Sequence, residues 1–291
     1  MSTILELRNL KKSYGSVRAV DDVSFRIEEG TCFGLLGPNG AGKTTTIEMM
    51  ESILTADSGE ILFRGTPIDS RFKERVGIQF QTTALPEYIT VRETLELFSS
   101  FYPRPRPIEE VAELCSLNDL LKRDNQKLSG GQRQRLLLGI AVVSHPEVVF
   151  LDEPTTGLDP QARRNFWELI GRIRAEGTTV VITTHYMDEA ESLCDQIVIM
   201  DQGRVLDQDT PAGLLRRHFS GALVRVPVAE DAGRLPSGAT LVADGLEIVS
   251  TNLDDTLKEL LEARVNLEGL TIHKPNLEDL FIKLTGSSLR T

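Results

Sequence analysis

One run of nine residues, Gly37-Pro38-Asn39-Gly40-Ala41-Gly42-Lys43-Thr44-Thr45, constrains this chain more than any other stretch. It follows the apolar residues Cys32, Phe33, Leu35 and Leu36 and opens a helix-compatible segment, Thr46 to Ser52, so the local order is strand, glycine loop, helix. Gly37, Gly40 and Gly42 let the backbone turn with its N–H groups pointing inward, and a helix N-terminus behind them adds partial positive charge where phosphates would sit. Lys43 then reaches the outer phosphates. Thr44 is placed to ligate a Mg²⁺ bridging those phosphates, and Thr45 to donate to a phosphate oxygen nearer the base. An ordinary glycine-rich turn accounts for the small residues but not for the lysine, the strand in front and the helix behind together.

A second group of motifs lies downstream. Leu128-Ser129-Gly130-Gly131-Gln132 has capping-box spacing, with Ser129 as N-cap and Gln132 three residues on, so a helix is expected to begin there and run to Ser144. Two glycines in its first turn leave N–H groups uncovered, a second anion site on a helix start. Val148 to Leu151 then reads as a buried parallel strand ending in the carboxylates Asp152 and Glu153. Acids at such a strand end beside a phosphate loop suit metal and water chemistry, Asp152 holding Mg²⁺ through water and Glu153 orienting or deprotonating the attacking water. Asp159 and Pro160 read as N-cap and first residue of the next helix, which Gly177 ends. The strand Thr178 to Thr183 delivers Thr184 and His185 to the same edge. There a neutral imidazole could donate to a terminal phosphate, although a strand-end histidine taken alone is more often incidental, as His145, His218 and His273 are read to be.

The remaining segments frame these motifs. Ile4 to Leu10 and Val17 to Ile27 read as two N-terminal strands separated by the Gly15-Ser16 turn. Tyr14, before that turn, fits a platform for a nucleotide base and a strand-end aromatic packed on the core equally well. Glu60 to Phe63 and Val76 to Phe80 are further strands, the second ending at Gln81. From about Thr82 to Lys127 the pattern turns helical: Thr90 and Glu93 form a capping box, and Val91, Leu95, Phe98 and Phe101 recur at helical spacing until Pro103. A second helix, Ile108 to Leu117, follows. The aromatic positions of this insert fit core packing better than a docking surface. A composition change near Arg217 to Gly221 precedes a smaller α/β pattern: strands Leu223 to Val228, Ala239 to Val242 and Leu246 to Val249, a helix Leu253 to Ala263, a strand Leu270 to Ile272, and a last helix that Asn276 caps.

Charge and cysteine content narrow the partners. With 43 acidic residues against 32 basic, the net charge of −11 has the wrong sign for gripping nucleic acid through its phosphates. Cys32, Cys115 and Cys194 follow no metal or disulfide spacing and read as buried small hydrophobes in a reducing cytoplasm. The N-terminus has no signal-peptide pattern, and the apolar run Leu136 to Val143 is too short to cross a bilayer, so a soluble chain is expected.

These motifs, in this order and at this spacing, resemble the ATPase subunit of an ATP-binding cassette (ABC) transporter over about residues 3 to 210. The resemblance implies an α/β fold: a P-loop NTPase core with a mixed sheet, N-terminal antiparallel strands and a helical insert, followed by a small C-terminal α/β domain. The ATPase domain would span 1–217, with its helical subdomain at about 82–127, and the accessory domain 218–291. By similarity, Gly37 to Thr45 is the Walker A loop, Gln81 the Q-loop glutamine, Leu128 to Gln132 the signature, and Val148 to Asp152 the Walker B strand. Glu153 would be the catalytic glutamate, Leu158-Asp159 part of the D-loop, His185 the switch histidine and Tyr14 the adenine-stacking aromatic. ATP and Mg²⁺ would be the cofactors, the metal falling to Thr44, Asp152 and Gln81. Ser52 stands where relatives often carry glycine, away from the chemistry.

The same resemblance implies two partners and no nucleic acid. One is a second copy packed head to tail, each ATP lying between Lys43 of one chain and Ser129 of the other. The other is a separate transmembrane permease, docked by the insert on the cytoplasmic face of the cell membrane. Thr183 to Glu191 and Asn276 to Gly286 are similar to the daunorubicin-resistance type of exporter ATPase. An importer motor differs only in its membrane partner, and the tail similarity argues against it. A soluble cassette protein of DNA repair or translation is disfavoured by the net charge, by the lack of a long coiled coil between motifs and by the single cassette.

Overall fold

The computed structural model describes residues 2–80, 83–227, 239–242, 245–263 and 265–285, with backbone alone for 241 and 242. The chain opens with an antiparallel pair, β1 (Thr3–Tyr14) and β2 (Val17–Glu28), turned through Gly15 at φ +61°. Val23, Phe25 and Ile27 alternate inward while Arg26 stays out, the period expected of a half-buried strand. Sequence alternation stops β1 at Leu10, whereas the strand continues to Tyr14 because Lys11, Lys12, Ser13 and Tyr14 go on pairing with Asp21, Val20, Arg18 and Val17. That polar half is held by backbone bonds, which leave no hydrophobic pattern.

Next come β3 (Cys32–Leu36), buried throughout, and α1 (Lys43–Met50). The helix starts at Lys43, three residues before the expected point, with Gly42 as N-cap at φ +95°. β4 (Ser58–Phe63) and β5 (Thr66–Pro67) complete a four-stranded sheet in the order β2-β1-β4-β5. After β6 (Val76–Gln79) the insert contributes α2 (Val91–Ser99) and α3 (Ile108–Leu114), and both lie on α4 (Gly130–Val142). A Cβ on Gly139 of α4 would sit 3.3 Å from Leu95, Leu117 and Val111, so the small residue sets the closeness of that packing. α3 stops short of Leu117 because Ser116 takes φ +54°. Phe101, expected in the core, is 69% exposed and meets Phe98 edge-on at 6.0 Å, beyond the end of α2.

The remaining elements of the first unit are β7 (Val148–Asp152), α5 (Pro160–Ala175), β8 (Thr179–Thr183), α6 (Met187–Leu193), β9 (Gln196–Asp201) and β10 (Arg204–Asp209). They build a six-stranded sheet, β10-β9-β3-β8-β7-β6, parallel except for the β10-β9 pair. The N-terminal strands form their own sheet and share one apolar core with it, where Leu5, Leu10 and Ile27 meet Phe33, Phe150 and Val181. Phe25 stacks on Phe33 at 5.1 Å across that layer.

Contacts divide the described residues into two compact units, one up to residue 210 and the other from 211 to 285. The second unit contains α7 (Pro211–His218), β11 (Ala222–Val226), β12 (Ala239–Val242), β13 (Gly245–Ser250), α8 (Leu253–Glu262), β14 (Thr271–His273) and α9 (Leu277–Thr285). Its antiparallel sheet runs β12-β13-β11-β14 over a core of Val224, Val226, Leu246, Ile248 and Leu260. Asn276 and Asp279 bond each other's backbone amides at 3.0 Å, the reciprocal cap that starts α9. Val228, expected to end the first of these strands, lies outside the described residues.

Candidate functional site

The parallel sheet places three loops side by side. β8 lies between β3 and β7, and Thr183 at its end pairs with Leu35 on one side and Asp152 on the other. The segments that follow, Gly37–Gly42, Glu153–Leu158 and Thr184–His185, therefore leave the same carboxyl edge, where open α/β sheets hold ligands. Glycine is required here by space and by backbone angle. A Cβ on Gly37 would stand 2.4 Å from the Met200 carbonyl, and one on Gly42 would stand 2.1 Å from that of Ala19. Asn39 and Gly40 are exposed at the loop tip, Pro38 is half-buried and Ala41 buried.

Lys43 folds back over this loop, donating Nζ to the carbonyls of Gly37 at 2.7 Å and Pro38 at 3.0 Å. Burial lowers its pKa from the ordinary lysine value, and the charges of Glu153 and Asp152 oppose that shift. The lysine and the two acids thus feel one another across the edge. Thr44 is exposed and Thr45 half-buried on the first turn of α1.

Asp152 and Glu153 are fixed by Thr183. The threonine hydroxyl donates to Asp152 Oδ1 at 2.5 Å and accepts from the Glu153 amide at 3.0 Å. Glu153 adopts φ +46°, in the left-handed region that residues other than glycine enter at a cost of about 1–2 kcal/mol. Its Oε2 accepts from Thr156 Oγ1 at 3.3 Å and lies 3.5 Å from His185 Nδ1. The His185 ring contacts Tyr186, with centroids 4.1 Å apart, and the guanidinium of Arg163 covers the Tyr186 ring at 3.6 Å.

Ser129, Gly130, Gly131 and Gln132 line a different cleft of about 290 Å³, together with Gly157, Leu158, Asp159, Ala162 and Asn165. Both capping arrangements expected there are present. Ser129 Oγ accepts from the Gln132 amide at 3.3 Å while Gln132 Oε1 accepts from the Ser129 amide at 3.0 Å, and Asp159 accepts from Gln161 and Ala162 amides. Tyr14 stands 50% exposed at the end of β1. Gln81 lies outside the described residues.

Three further groups in this region were given no role from the sequence. Thr183 ends an apolar strand and carries no pattern of its own. Glu51, 3% exposed at the end of α1, has its pKa raised to about 8 by burial and by the charges of Asp152 and Glu48. Its signal was an acid directly after Met49 and Met50, where the helix pattern calls for an apolar residue. Glu189 is wholly buried, and burial pushes its carboxyl up against the opposing effects of Thr184, Trp167, Thr155 and Arg163.

The donor set fits a triphosphate with a hard divalent ion. The loop amides and Lys43 suit phosphate oxygens, and a hydroxyl with a carboxylate suits Mg²⁺, which takes few protein oxygens beside phosphate and water. Among the described residues no three His, Cys, Asp or Glu side chains converge on one point.

The family described as ABC transporter matches residues 20–156. The Nod factor export ATP-binding protein I of Burkholderia lata (strain ATCC 17760 / DSM 23089 / LMG 22485 / NCIMB 9086 / R18194 / 383) is 36% identical over 98% of each chain. The daunorubicin resistance ATP-binding protein DrrA2 of Streptomyces coeruleorubidus is 36% identical over 95% of this chain and 93% of its own. Among solved structures, cbiO1 from Clostridium perfringens, part of the transporter complex cbiONQ, superposes with a TM-score of 0.68 at 29% identity over 75% of this chain and 94% of that one. The dimeric post-hydrolysis state of the cassette MJ0796 bound to ADP and Pi gives 0.64 at 25% identity, over 71% and 98%.

Proposed function

Because the chain belongs to the ABC transporter family, as an ATP-binding subunit, we propose that it is the motor of an exporter, hydrolysing ATP to drive a membrane permease that is a separate polypeptide. The observation that carries this reading is the convergence of Lys43, Asp152, Glu153 and His185 on one sheet edge. Lys43 and the amides of Gly37 to Thr45 hold the phosphates. Mg²⁺, when bound, would draw charge from the outer phosphate oxygens, with Thr44, Asp152 and Gln81 supplying or orienting its protein-side oxygens. Glu153 orients the attacking water and takes its proton, and His185 donates to the terminal phosphate. Tyr14 stacks on the base.

Ser129 to Gln132 and Asp159 complete the site of a second copy packed head to tail. The dimer of the cassette bound to ADP and Pi supports the pairing of two copies. The names of the similar chains support export, and the permease contact is proposed for the insert at 82–127, where Phe101 and Tyr88 are exposed. No described helix is long and apolar enough to cross a membrane. The subunit is held peripherally at the cytoplasmic face by its permease, a reading that the names of the similar export proteins support. ATP chemistry is assigned to 1–217, and 218–291 is an accessory domain.

The test is a pair of variants. Lys43→Ala is expected to lose nucleotide affinity or turnover, whereas Glu153→Gln retains ATP and loses turnover by about two or more orders of magnitude. Full ATPase activity in purified Glu153→Gln protein would contradict the assignment.

A further inference from the structure

Glu189 gathers three segments of the catalytic edge onto one oxygen. Its Oε1 accepts from Thr155 Oγ1 at 2.9 Å and from Trp167 Nε1 at 2.8 Å. Thr155 follows Glu153 by two residues, Trp167 is on α5, and Glu189 itself lies on α6, just beyond His185. Its Oε2 is buried without a partner in hydrogen-bond geometry, while the neighbouring Thr184 hydroxyl accepts from the Tyr186 amide at 2.9 Å. On α5, one turn before Trp167, Arg163 covers Tyr186, which in turn contacts His185. The helix therefore grips the His185 segment at two points, Tyr186 and Glu189.

These contacts close a ring. Glu153 meets His185 at 3.5 Å on one side, and Thr155 meets Glu189 on the other, with only short backbone runs between. A leucine would fill the volume of Glu189 without the cost of burying a carboxylate, so the acid earns no stability that an apolar group could not give. What it adds is direction: two donors from different elements must point at one atom.

We propose that Glu189 is a positioning residue for ATP hydrolysis, holding the turn after Glu153 and the segment after His185 at fixed separation through Thr155 and Trp167. This rests on the roles given above to Glu153 and His185. Glu189 is wholly buried and acts through the segments it ties together.

The experiment compares Glu189→Leu, Glu189→Gln, Trp167→Phe and Thr155→Val in the full-length chain, with wild type and Glu153→Gln alongside. Glu189→Leu is expected to lower kcat by on the order of tenfold or more while the KM for ATP stays within about twofold, because misplacement of reacting groups affects the chemical step. Glu189→Gln keeps an oxygen that accepts both bonds and is expected to restore most of kcat. Trp167→Phe and Thr155→Val each remove one donor and are expected to give intermediate losses at unchanged KM, and these decide the matter if the leucine variant does not fold.

Trp167 is the only tryptophan in the chain, so its emission reports on this bond. In the Glu153→Gln background, Mg-ATP is expected to shift that emission, and Glu189→Leu to abolish the shift. Wild-type kcat in Glu189→Leu, or in both single-donor variants, overturns the positioning role, as does an equal loss in Glu189→Gln and Glu189→Leu. If Glu153→Gln itself hydrolyses ATP normally, the reading of the site fails and the role of Glu189 falls with it.

Discussion

One buried acid, Glu51, contributes a pH dependence to the stability of this chain in a defined window. Below the ordinary value of 4.5 it is protonated in the folded and unfolded chain alike and carries no penalty. Between 4.5 and about 8 the unfolded chain has released the proton and the folded chain has kept it, so stability falls as pH rises, by at most about 1.4 kcal/mol per unit. Above that window the loss is complete and constant. Glu51→Gln removes this contribution to the dependence. Urea denaturation at about pH 5, 6.5 and 8 is expected to show the variant gaining on the native chain at each step, and a gap that does not widen would assign the group a normal pKa. Legibility at this scale follows sequence distance. Thr90 with Glu93, Ser129 with Gln132 and Asp159 with Gln161 could be read because both partners of each bond lie within one helical turn. Thr183 reaches Asp152 and Glu189 reaches Thr155 across more than thirty residues, and neither partner advertises the other. The left-handed angle at Glu153 is equally silent, because no glycine or asparagine marks it.

Between elements, a very close approach joins β6 to α4, and it explains how the insert is anchored. A Cβ on Gly77 would fall 1.9 Å from the backbone carbonyl of Ala141, an atom that cannot rotate away. Further along, Gln79 Nε2 donates to Gln134 Oε1 at 2.5 Å, and Arg133 Nη2 donates to the Thr83 carbonyl at 2.5 Å. Gln79 and Thr83 are thus both tied to the first turns of the helix that Ser129 begins. Gly77→Ala is expected to cost about 2–3 kcal/mol by forcing strand and helix apart, whereas Gly171→Ala, in a helix with nothing within 4 Å, is expected to stabilise by roughly 0.5–1 kcal/mol. Equal denaturation midpoints for the two variants would rule out close packing as the reason for glycine at 77. Strand and helix types were legible from apolar period, as in Val148 to Leu151 and the buried face of α5. Their ends were not, since Tyr14 and Ser116 are set by pairing and backbone angle instead of by hydrophobic pattern.

At the scale of the whole molecule, the proposed site is divided between Lys43 on one copy and Ser129 on another, and mixed subunits test the division. Lys43→Ala and Ser129→Arg homodimers are each expected to be inactive. A heterodimer of the two holds one doubly damaged site and one intact site, so ATPase activity is expected to return in part on mixing. Subunit exchange shown by a tagged pull-down without recovered activity, where a tandem control with one wild-type site turns over, would exclude the shared arrangement. The order of strands in the six-stranded sheet carries a consequence for synthesis. β3 delivers the phosphate loop early in the chain, yet its two neighbours, β8 and β9, are made of residues 179–183 and 196–201. A nascent chain that stops before residue 179 carries the Lys43 loop behind a strand with neither of its neighbours made, and contacts so distant in sequence form slowly. Nucleotide can therefore act on the growing polypeptide only after β8 and β9 have been made, and until then the apolar strand Cys32–Leu36 is a segment for chaperones to shield.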